Sequence, residues 1–255
     1  MLWQMLATFV FRLSFGTAVA MAMTPSSLVT SGFFRVHLWM LMGFNTFAAL
    51  AVGTSEFGNS NLLPLTIAAA VVSYLGAVIW MYEQRTAGLI AICLVAAMDL
   101  LAAIWVAPEA TGSRFITNGG VLDIVSSGML LGLVMTAMLL GHWYLNTPSM
   151  QLQPLQQLVF AMLAAVFIRA VMCGVGCGAE LVMNEMNRNF GWYGLLTLRW
   201  LSGLIGITVL GLMTWQTLKI PNTQSATGIL YVAVMFSFLG ELSSQLLAAD
   251  AIYPL

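Results

Sequence analysis

GVLDIVSSGMLLGLVMTAMLLGHWYL, residues 120–145, holds an aspartate near its start, a histidine near its end and no charged residue between them. A membrane-crossing helix needs about 20 mainly apolar residues at a rise of about 1.5 Å each, and this run exceeds that length. It also lacks the two-residue alternation of an outer-membrane barrel strand. Its reading as a spanning helix decides how the rest of the chain is read.

The composition agrees with that reading. Of 255 residues, 60% are apolar and 7% charged, where an ordinary soluble domain carries roughly 25% charged residues. Eight Lys/Arg and nine Asp/Glu cannot clothe a water-facing surface of this size, because soluble monomers tolerate apolar patches of only a few hundred Å². Lipid is therefore the expected solvent. The formal net charge of −1 provides no basic field for nucleic acid, so no nucleic-acid partner is expected.

Seven further runs of the same kind flank the first. The eight spans are expected at about 2–23, 33–52, 62–82, 86–106, 120–145, 153–178, 192–218 and 225–248. Polar or Gly/Pro-containing breaks separate them, including TPSSLVTSG, YEQRT, NTPSMQLQP and KIPNTQ. The expected fold is thus an all-α, polytopic integral membrane helical bundle, a single transmembrane domain over 1–255. The third and fourth spans should form a tight hairpin across YEQRT. The connections leave no room for a soluble domain. Small residues at four-residue spacing (Gly128/Gly132, Gly174/Gly178, Ser202/Gly206) permit close helix approach. At the amino end, AVAMA (Ala18–Ala22) resembles a signal-peptidase site. Arg12 lies inside the preceding apolar run rather than before it, which suits a retained span.

An even number of spans places both termini on one side. The opposite side then carries Arg35, Arg85 and Lys219, and the terminal side Arg114 and Arg188. By the positive-inside rule the termini fall on the non-cytoplasmic side of a bacterial-type inner membrane. Acidic residues gather on the terminal side (Glu56, Glu109, Glu180, Glu185, Asp250) but weigh little in that rule.

Two constellations bear on function. His37 and His142, the only histidines, lie at one depth near the side opposite the termini. Two imidazoles so placed could ligate haem b or hydrogen-bond a quinone and exchange its proton. The bland reading is that they belong to an interfacial aromatic belt with Trp39, Trp143 and Tyr144. Arg12, Asp99, Asp123, Arg169, Arg199 and Glu241 fall within six different spans, collected toward the terminal side. Charges in hydrocarbon are costly, face inward and pair. They form either a proton path or a set of buried ion pairs that lock helices together. Neighbours at three- and four-residue spacing extend this polar seam: Ser237, Ser244 and Gln245 beside Glu241, and Cys173, Cys177 and Glu180 beside Arg169.

Cys93, Cys173 and Cys177 form no CxxC or zinc-type spacing. Nucleotide-binding loops, HExxH and GxSxG are absent, as is a potassium-filter motif. The expectation is a membrane subunit of a multi-subunit redox complex, quinone- or haem-linked, with membrane or peripheral partner subunits. The alternatives are a transporter or channel lined by the polar seam, and a scaffold whose charges only staple helices.

Overall fold

A computed structural model describes residues 2–54, 61–111, 120–147, 150–183, 190–220, 222–248, 251 and 253. Its helices are α1 (Leu2–Met23), α2 (Ser31–Gly53), α3 (Leu62–Met81), α4 (Arg85–Thr111), α5 (Gly120–Asn146) and α6 (Gln153–Met183). They continue as α7 (Phe190–Trp200), a π-helical turn (Leu201–Gly206), α8 (Ile207–Lys219) and α9 (Thr223–Leu247). With α7, the π turn and α8 forming one stretch, eight helical segments are long and apolar enough to cross a membrane. Strands are absent among the described residues. The fold is an all-α bundle, and its spans match those read from the sequence.

α1 and α5 are buried along most of their length, whereas α3, α6 and the seventh span turn most of their residues outward. On α6 the outward stripe is Phe160, Phe167, Val171 and Val175, while Arg169 on the other face is fully buried. Large apolar groups outside and a guanidinium inside suit a protein dissolved in lipid.

The two central helices approach through glycine. A Cβ on Gly16 would stand 1.6 Å from the Gly128 carbonyl oxygen, and one on Gly132 would stand 1.8 Å from the Gly16 carbonyl carbon. No side chain fits there. The Gly128/Gly132 spacing thus serves close approach, with Gly16 as the partner on α1. Gly174 and Gly178 do not serve it. Both lie exposed on α6, and a Cβ on Gly178 would meet nothing within 4 Å. The spacing was right, but the face points away from the bundle.

The α3–α4 hairpin forms as expected. Glu83 turns the chain with φ 57°, a left-handed conformation that favours glycine. Trp80 closes the hairpin from inside. It stacks on Phe34 at 4.3 Å, and a Cβ on Gly88 would lie 2.5 Å from its indole nitrogen.

Of the loop charges weighed for orientation, Glu56, Arg114, Glu185, Arg188 and Asp250 lie outside the described residues, as does the Glu109 side chain.

Candidate functional site: a ring of four charges

The α1–α5 crossing fixes Arg12 opposite Ser126–Gly128, so that its guanidinium reaches the first turn of α5. Arg12 Nη1 donates to Ser127 Oγ at 2.9 Å and to Glu241 Oε1 at 2.7 Å, and it lies 3.0 Å from Asp123 Oδ2. From α6, Arg169 Nη1 meets Asp123 Oδ1 at 2.5 Å and donates to Ser126 Oγ at 3.0 Å. Its Nη2 stands 3.8 Å from Glu241 Oε2. Each arginine therefore contacts both acids and each acid both arginines. Four residues from α1, α5, α6 and α9 make a closed ring with alternating sign.

The ring is dry. Arg169 is 0% and Glu241 3% exposed. Gln245, one turn after Glu241, donates Nε2 to Glu241 Oε1 at 3.3 Å. Ser237 and Ser244 are buried on the same helix, as the spacing on the last span implied. Arg12 Nε, Arg169 Nε and Arg169 Nη2 make no hydrogen bond, so the guanidiniums keep donor capacity in reserve.

Arg199, at the end of α7, stands beside the ring. Its Nη2 donates to Cys173 Sγ at 3.5 Å. Room for it comes from two glycines absent from the sequence reading. A Cβ on Gly203 would be 2.6 Å from Arg199 Nη1, and one on Gly240 would be 2.3 Å from the Gly203 Cα. Gly203 belongs to the π turn, which begins two residues after Arg199. Such turns concentrate at functional positions in helices. Single glycines and Ser202, whose Oγ donates back to Leu198 O at 2.6 Å, are its only sequence signal.

Asp99 is not in the ring. It is fully buried on α4 and accepts a hydrogen bond from Asn45 Nδ2 on α2 at 3.4 Å. No ion pair to Asp99 occurs among the described residues. The six embedded charges thus divide into four in the ring, Arg199 beside it and Asp99 apart. Asn45, a polar residue in mid-span, was the signal that could have shown this division.

The histidines lie at the other end of α5 from Asp123, about 28 Å away by the helix rise. His37 is buried, with Nδ1 bonded to Phe33 O at 2.6 Å. Its ring lies 4.2 Å from that of Phe33 and 6.2 Å from that of Trp143. Trp143 itself donates Nε1 to Thr30 Oγ1 at 2.9 Å. His142 is exposed, with Nδ1 3.1 Å from the Tyr231 hydroxyl on α9. One imidazole is thus packed among aromatics of α2 and α5 and the other turns to α9. The Trp143 indole, next in sequence to His142, stands beside His37. In both histidines the hydrogen bond engages Nδ1.

No protein-family model, curated protein or solved structure matches the chain. Among the described residues, no group of three or more His, Cys, Asp and Glu is placed to hold a metal ion.

Proposed function

We propose that this protein is a proton-handling membrane subunit of a multi-subunit, quinone-linked electron-transport complex. The observation that carries the reading is the closure of the Arg12–Asp123–Arg169–Glu241 ring. In a simple buried ion pair, protonating the acid strands the base, at a cost of several kcal/mol. In the ring, protonating either acid leaves two guanidiniums sharing one carboxylate, with one positive charge in excess but neither arginine without an acid in contact. In this reading a proton is shared between Asp123 and Glu241, each arginine keeping contact with the acid that remains ionised. Ser126, Ser127 and Gln245 supply hydroxyls and an amide that reorient as it does so.

The quinone is assigned to the imidazole end. A quinone bound there would take up electrons and protons together. His142 and Tyr231 form a hydrogen-bonded pair able to hold a carbonyl oxygen and to pass a proton. In this reading the termini face the non-cytoplasmic side of a bacterial-type inner membrane. Catalytic redox domains belong to partner subunits, because this chain's connections are short.

The test is purification of the tagged protein from its native membrane, with mass spectrometry of co-purifying subunits and solvent extraction of quinone. Redox subunits and stoichiometric quinone are expected, with quinone lost in His142→Ala. A chain that purifies alone and quinone-free contradicts the proposal.

One feature favours a second reading as a transporter: the π turn beside Arg199 interrupts the seventh span, and broken helices line substrate sites in secondary transporters. Solute uptake by proteoliposomes containing this chain alone, abolished in Glu241→Gln, would establish that reading instead.

A further inference from the structure

Asp99 is an acid without a base, and its single partner is oriented in a way that specifies its chemistry. Asn45 Nδ2 donates both to Leu41 O at 3.2 Å and to Asp99 Oδ2 at 3.4 Å. Turning the amide over would set its oxygen against the Leu41 carbonyl oxygen, which can only accept, so that contact fixes the orientation. It leaves two buried acceptors, Asn45 Oδ1 and Asp99 Oδ1, with no hydrogen bond. Asn45 and Asp99 are each 0% exposed.

Neighbouring elements provide no compensating charge. α1, α3 and α5 pack against α4. The ionisable side chains on these three are Arg12 and Asp123 in the ring, Tyr74, His142 and Tyr144. α2 adds Arg35 and His37, and α4 itself adds Arg85, Cys93 and Glu109, whose side chain is outside the described residues. Among the described residues, only Asn45 bonds to Asp99. A metal cation would demand more oxygens than the two left over. An ionised carboxylate held by one amide hydrogen, away from water, is among the most costly arrangements a protein can contain.

One hydrogen atom resolves every part of this. On Asp99 Oδ1 it turns an unpartnered acceptor into a donor, and Asn45 Oδ1 is the unpartnered acceptor available to it. Together with the existing bond from Asn45 Nδ2 to Asp99 Oδ2, such a bond would make a cyclic acid–amide pair. We infer that Asn45 and Asp99 form a proton-binding site between α2 and α4, separate from the ring, in which Asp99 carries the proton as a neutral acid. The group holds its proton while shielded and releases it only when water or a cation reaches the Asn45–Asp99 contact. The bundle thus contains a proton store of a different kind from the ring. The inference deepens the proton-handling reading in what the proton is for; its presence on Asp99 stands on the geometry of this site alone.

The test is infrared spectroscopy of the full chain in lipid nanodiscs at neutral pH, with and without isotope-labelled aspartate. Expected is a carbonyl band of a protonated carboxylic acid that shifts with the label and in heavy water. It should vanish in Asp99→Asn and persist in Asp123→Asn. In Asn45→Ser the band should remain but move to the position of a free acid. Absence of the band in the unmodified protein, or its survival in Asp99→Asn, overturns the inference. An unmoved band in Asn45→Ser overturns the pairing. None of these readings requires a partner subunit or turnover, so failure to find a redox complex leaves them intact.

Discussion

Asp123 and Asp99 are the same side chain in the same bundle, on neighbouring positions in chain order of helices, yet their surroundings differ in kind. Asp123 meets two guanidiniums and remains in an alternating ring of charge. Asp99 meets an amide and nothing cationic among the described residues. Burial alone therefore does not determine what an intramembrane acid does. The partner differs as well: two arginines meet Asp123, and one amide meets Asp99.

The comparison breaks most severely at Arg169. Its replacement by Met leaves Asp123 and Glu241 sharing one arginine and is expected to cost about 3–5 kcal/mol of folding free energy, read by reversible unfolding in bicelles. Adding Asp123→Leu leaves the Arg12–Glu241 contact at 2.7 Å as a neutral pair and should recover most of that loss. If the double variant is no more stable than the single one, charge balance is not what the ring provides. A well-assembled Arg169→Met protein lacking activity would argue that the ring is more than a staple.

The ring also depends on the crossing that assembles it. Gly16→Leu drives a side chain into the backbone of α5 and is expected to destabilise by at least the roughly 1–3 kcal/mol typical of overpacking. Gly178→Leu, on an open face of α6, should change stability by less than about 0.5 kcal/mol. The same unfolding measurement distinguishes them. Asn45→Leu should cost about 1–2 kcal/mol, the value of a lost hydrogen bond with one partner left unsatisfied.

The spans were legible because one physical requirement, enough apolar length to cross the bilayer, leaves few solutions. That Arg12, Asp123, Arg169 and Glu241 would face inward was legible for the same reason. Which charge meets which was not, since spacing along one helix states a face but not its neighbour. Gly128 and Gly132 show the success of that logic and Gly174 and Gly178 its failure: identical spacing, opposite exposure. Asp99 was grouped with the ring because depth was counted and azimuth could not be. The histidines agreed in depth as well, and their rings turned to different helices.

The most direct test is one substitution made at two places, Asp→Asn at positions 123 and 99, with unfolding free energy measured for both under the same conditions. An amide closely mimics a neutral acid and poorly replaces a charged one. Asp123→Asn should therefore lose about 3 kcal/mol or more as two guanidiniums lose a counter-charge, while Asp99→Asn stays within about 1 kcal/mol of the unmodified protein. Equal losses at the two positions, or a larger loss at Asp99, would contradict the division of this bundle into a charged ring and a neutral acid.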